Sequence, residues 1–120
     1  MGRLMGRLDA LDIVAAEVGD PSGEVLSQDE EEMWYSVPIG VAEAIEVDVD
    51  PTISDKPFYV CVRRWDRTHA LAEEVEVGEY ANAAQAARAV KEVLADLAER
   101  EAKLVALLAG EPTEEERRNA

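Results

Sequence analysis

Apolar residues recur along this chain with two different periods, and the change between them divides it. Leu4, Leu8, Leu11, Ala15 and Val18 follow one another at alternating steps of four and three, with Asp9, Asp12 and Glu17 off that stripe. The spacing predicts an amphipathic helix over residues 3–18. Gly19, Asp20 and Pro21 end it, because glycine takes a left-handed cap readily and proline cannot continue a helix. A polar linker follows and carries the acidic run Asp29 to Glu32.

The period then shortens. Four strands are predicted, at Met33–Val37, Val41–Val49, Phe58–Trp65 and Leu71–Val77, separated by turn residues such as Pro38-Ile39-Gly40 and Asp50-Pro51. The short connections favour an antiparallel meander. In the second strand Ile45, Val47 and Val49 alternate with Glu46, Asp48 and Asp50, which predicts a sheet with one apolar and one wet face. The start of the fourth strand is open to a second reading, since Thr68 to Glu74 would also suit a helical turn.

Beyond Gly78 the helical period returns. Asn82 and Gln85 make a capping box for a helix running to about Leu108, closed by Gly110 and Pro112. Its stripe is Ala83, Ala87, Val90, Leu94, Leu97, Leu104 and Leu108, broken at Glu101. Residues 83–97 are expected to pack on the sheet. At 1.5 Å per residue the helix would be roughly 40 Å long, more than a sheet of this size can cover, so Leu104, Val105, Leu107 and Leu108 are expected to overhang. Arg88 with Glu92, Asp96 with Arg100 and Glu99 with Lys103 are placed for i,i+4 ion pairs.

The expected fold is therefore α+β: an antiparallel sheet of three or four strands packed by an N-terminal helix and a long C-terminal helix. Residues 1–110 form a single domain in this reading, and 111–120 a flexible charged tail. With 120 residues, 48% of them apolar, the chain can bury a core. No apolar run is long enough to span a bilayer and no export signal is visible, so no membrane association and a cytoplasmic location are expected.

Charge sharpens the picture. The formal net charge is −15. Nine acids face one lysine between residues 29 and 57, whereas residues 58–69 hold three arginines and one acid. That basic stretch, Tyr59-Val-Cys-Val-Arg-Arg-Trp-Asp-Arg, holds most of the candidate chemistry. In an extended strand Tyr59, Cys61, Arg63 and Trp65 share one face, opposite Phe58, Val60 and Val62. Aromatics beside arginines can anchor a protein partner or stack on bases. The same alternation puts Glu46, Asp48, Glu74 and Glu76 within reach of Arg63, so ion pairing inside the sheet competes with either use.

Catalytic and ligand-binding chemistry is not supported. Cys61, the single cysteine, lies mid-strand with no evident base, and His69 falls beyond a turn, so an ordinary histidine and a semi-buried structural cysteine are expected. Asp48-x-Asp50 begins like a calcium loop, but Ile53 stands where glycine is needed and Tyr59 where a glutamate should be. The glycines assemble no phosphate loop, and no zinc or hydrolase motif is present. No cofactor or metal is expected and the chain is not expected to be an enzyme.

The function that remains is protein–protein interaction, as an adaptor, an inhibitor or a subunit of a larger assembly such as a phage particle. Partner binding or self-association through Tyr59, Arg63, Arg64, Trp65, Arg67, Leu104 and Leu108 is expected, with a homo-oligomer favoured. The alternatives are nucleic-acid binding through residues 59–67, which the negative field opposes, and an acidic mimic of DNA.

Overall fold

The computed structural model describes residues 6–28, 32–50, 52 and 55–110. Its elements are α1 (Arg7–Val18), β1 (Glu24–Ser27), β2 (Met33–Gly40), β3 (Glu43–Val49), β4 (Phe58–Trp65), β5 (Leu71–Tyr80) and α2 (Ala83–Leu108). The fold is α+β: the five strands form one antiparallel sheet in sequence order, with an N-terminal and a long C-terminal helix. Contacts divide the chain into two compact units, Met1–Val90 and Lys91–Ala120. No helix of the described residues is long and apolar enough to cross a membrane.

The sheet has one strand more than expected. β1 lies in what reads as a polar linker, because it is four residues long and only Val25 and Leu26 are apolar. Its register comes from β2, with Val25 opposite Tyr35 and Leu26 opposite Trp34. The acidic run that follows, at residues 29–31, and the tail from 111 lie outside the described residues, as do residues 3–5 of the first helix.

A second correction concerns the first hairpin. Pro38 to Gly40 is strand, not turn; the chain reverses at Val41-Ala42, and an irregularity in register falls between Pro38 and Gly40. Proline is tolerated there because β1 pairs no further along β2 than Ser36, so Pro38 has a neighbour on one side only. β5 runs on to Tyr80, and Leu71 opens it as strand, which removes the helical alternative.

One face of the sheet holds the apolar core. Tyr35, Val37, Ile45, Val47, Val49, Phe58 and Val60 are buried, and α1 lies against β1, β2 and β3. α1 is rotated from its expected stripe: Ala10, Leu11 and Val14 are buried, whereas Leu8 is half exposed. The expected stripe of Leu4, Leu8, Leu11, Ala15 and Val18 left out Ala10 and Val14, which share the buried face with Leu11. Gly19, at φ 67°, closes the helix by donating its N–H to Ala15 at 3.0 Å.

The opposite face is not the wet face that alternation predicts. Cys61, Ala44, Ser36 and Glu46 are all buried there. Small side chains sit low among Trp34, Tyr59 and Arg63, and Glu46 is held down by an ion pair described below.

At the start of α2 the capping box forms, with Asn82 Oδ1 accepting from the Gln85 N–H at 2.9 Å. Gln85 Oε1 accepts from the Ala81 N–H rather than from that of Asn82. Ala86, Ala87, Ala89 and Val90 are buried. In the second unit Leu94 and Leu97 are half-buried, while Leu104, Val105, Leu107 and Leu108 are exposed, the last to 80%. Asp96 with Arg100 (3.0 Å) and Glu99 with Lys103 (3.4 Å) pair along the helix surface.

Candidate functional site

β4 distributes the candidate residues between two surroundings. Arg63 lies at the centre of a carboxylate cluster built by three strands. Its Nη1 donates to Glu46 Oε1 at 2.8 Å, its Nη2 to Asp48 Oδ2 at 3.1 Å, and its Nε to Glu74 Oε1 at 2.7 Å. The register explains the convergence: Arg63 sits opposite Ala44 on β3 and Glu74 on β5, so Glu46 and Asp48 are the next same-face positions along β3. Tyr59 completes the cluster, its hydroxyl donating to Glu74 Oε2 at 3.0 Å.

Electrostatics follow from this geometry. Burial opposes the Arg63 charge, but the bonds from Glu74 and Glu46 and the nearby Asp48 outweigh it and raise the guanidinium further above its ordinary value. The hydrogen bonds from Arg63 and Tyr59 hold the Glu74 carboxyl below its ordinary range. Asp48 moves the other way: burial raises it, and Arg63 offsets only part of that cost. Tyr59 is pushed up to about 12, first by burial and then by its bond to Glu74.

Trp65 stands at the junction of two surface clefts. The first, of about 480 Å³, is lined by Trp34, Trp65, Met33 and Leu71 together with Glu32, Glu46, Asp48, Asp50, Arg7 and Arg63. The second, of about 620 Å³, is lined by Trp65, Arg64, Arg67, His69 and Asp66 beside Val41, Ala42 and Ala72. One tryptophan thus forms a wall of both an acidic and a more basic cleft. Arg64 is held by Glu73 in an exposed pair at 2.7 Å, whereas Arg67 has no carboxylate partner among the described residues.

The structure brings Tyr59, Arg63 and Trp65 onto one face of β4, and Arg64, Trp65 and Arg67 around one cleft. Leu104 and Leu108 belong to the second unit. Trp34 is the site residue that sequence reading missed. The signal for it was the β2–β3 register, which sets Trp34 opposite Asp48, but placing the reversal at Pro38–Gly40 moves that register.

Four other residues resolve into structural roles. Cys61 is fully buried and its thiol is pushed up to about 12 by burial, so it offers no thiolate. His69, at φ 63°, occupies the turn between β4 and β5. Asp66 holds that turn by accepting from the Thr68 N–H and hydroxyl and from the Ala70 N–H. Asp50 is likewise turned onto Thr52, whose N–H and hydroxyl it accepts.

The chain matches no protein-family model, no curated protein and no solved structure.

Proposed function

We propose that this chain is a non-enzymatic protein-interaction module that engages its partner through the surface around Trp65. The observation that carries the reading is the position of Trp65 as the common wall of two adjoining clefts of unlike charge. An aromatic anchor ringed by polar and charged groups is how protein interfaces concentrate their binding energy. Tyr59 and Arg63 belong to this reading as the support beneath the anchor, while Arg64 and Arg67 contribute a rim.

Nucleic-acid binding is less well supported. Arg63 spends its guanidinium on three carboxylates and Arg64 on Glu73, so few cations remain to neutralise phosphates on a chain of net charge −15.

A pull-down from nuclease-treated lysate, run in parallel with wild type and Trp65→Ala, tests the proposal. A protein recovered with wild type and lost with the variant supports it. An identical set of proteins from both removes Trp65 from the interface.

A second reading concerns the end of α2. The exposed Leu104, Val105, Leu107 and Leu108 favour self-association through that helix, in addition to partner binding.

A further inference from the structure

We propose that the cleft lined by Trp34 and Trp65 seats an arginine side chain of the protein partner. The inference rests on the reading of the chain as a protein-interaction module and names what the partner brings.

The walls select a flat cation. Both tryptophans of the chain line this cleft, with Met33 and Leu71 adding apolar surface. Indole faces attract cations through the negative potential of the ring, and guanidinium, being planar and weakly hydrated, stacks on them better than ammonium.

The charge around the cleft is unbalanced in the same sense. Four carboxylates, of Glu32, Glu46, Asp48 and Asp50, line it against the guanidiniums of Arg7 and Arg63. Asp48 is only partly compensated. It accepts from Arg63 through Oδ2 alone, at 3.1 Å, the longest of the three Arg63 contacts, and burial raises it even so. A second guanidinium beside Oδ1 would supply what Arg63 leaves unmet. Arg63 already donates one bond to Glu46 and one to Asp48, so both carboxylates accept guanidinium N–H groups.

Size and field narrow the occupant further. About 480 Å³ lies within the roughly 300–1,000 Å³ typical of binding pockets, which accommodates one arginine side chain with the backbone on either side of it. A nucleic acid would bring phosphates to a carboxylate-lined wall, and a membrane of anionic lipids would meet the same repulsion.

Both tryptophans line the cleft, so their emission reports on it; Trp65 also walls the second cleft, and the Asp48→Asn variant, whose substitution lies in the first cleft alone, assigns the response. The test titrates the full chain with an acetylated, amidated glycine–serine peptide carrying one arginine, against the same peptide with citrulline and with lysine, and against free arginine. The expected result is a saturable change in emission with the arginine peptide, with half-saturation at about 1 mM or below, and binding about tenfold weaker for citrulline and a few-fold weaker for lysine. Free arginine should bind more weakly than the peptide. Asp48→Asn should weaken the arginine peptide severalfold and leave the citrulline peptide unchanged. Equal curves for arginine and citrulline would overturn the proposal, as would no response to either in the millimolar range. If the peptides fail while a partner is still captured in a Trp65-dependent way, the arginine seat falls and the interaction module stands. If no captured protein depends on Trp65, both fall.

Discussion

Arg63 Nη1 lies 2.8 Å from Glu46 Oε1, and that contact holds a glutamate with only 5% of its side chain exposed in the middle of a sheet face. Removing one partner from a buried pair leaves the other charged and unsatisfied, whereas replacing both with apolar groups is nearly neutral. Arg63→Leu should therefore cost about 3 kcal/mol, and Arg63→Leu with Glu46→Leu should recover only part of that, because Asp48 and Glu74 lose the same guanidinium. Urea denaturation of the three proteins checks this.

The same cluster fixes a pH dependence. Glu74 is lowered from 4.5 in the folded chain, so its contribution is complete above about 4.5 and is lost as pH falls through the lower folded value. Glu74→Gln should cost under about 1 kcal/mol at pH 7, since the pair is partly exposed, and progressively less as pH falls below 4.5 through the lowered folded value. Asp48 has the opposite sign. Its folded value lies above 3.8, so its charge costs stability at neutral pH and the cost is relieved as pH falls through that raised value. Melting curves of wild type, Glu74→Gln and Asp48→Asn across this range separate the two.

Tyr35 is fully buried, and a methyl group added at Gly23 would fall on its hydroxyl. Gly23→Ala should cost about 1–3 kcal/mol through overpacking, and Gly23→Ala in a Tyr35→Phe background should cost less. Thermal denaturation of the two pairs gives the difference.

Cys61 should be inert in the native chain. A fully buried thiol pushed up to about 12 presents almost no thiolate at pH 8. Reaction with a disulfide reagent should be slow until denaturant is added and then rapid; fast labelling of native protein would mean that β4 opens.

If the end of α2 mediates self-association, Leu104→Lys with Leu108→Lys should shift the chain to monomer without changing its melting temperature, because neither residue is buried. Sedimentation velocity at several concentrations decides it.

Much of this architecture was legible in the sequence because it is written in local patterns. The capping box at Asn82 and Gln85, the alternation of Ile45, Val47 and Val49, and the glycine stop at Gly19 each need only neighbouring residues. What escaped depends on pairing. β1 has too few apolar residues to announce itself and takes its identity from β2. Alternation placed Glu46 within reach of Arg63, and they do pair, but the burial of Glu46 was not legible. Trp34 joins the site through register across the β2–β3 hairpin, and Pro38, the residue that looked like its turn, sits in the strand instead.

In the proposed function β4 divides its labour: Arg63 supports the fold and Trp65 would meet the partner. The most direct test of this division is calorimetric affinity for the captured partner, measured for Trp65→Ala and Arg63→Gln alongside their melting temperatures. Trp65→Ala should lose at least tenfold in affinity with little change in stability, while Arg63→Gln should lose mainly stability. Full affinity in Trp65→Ala would contradict it.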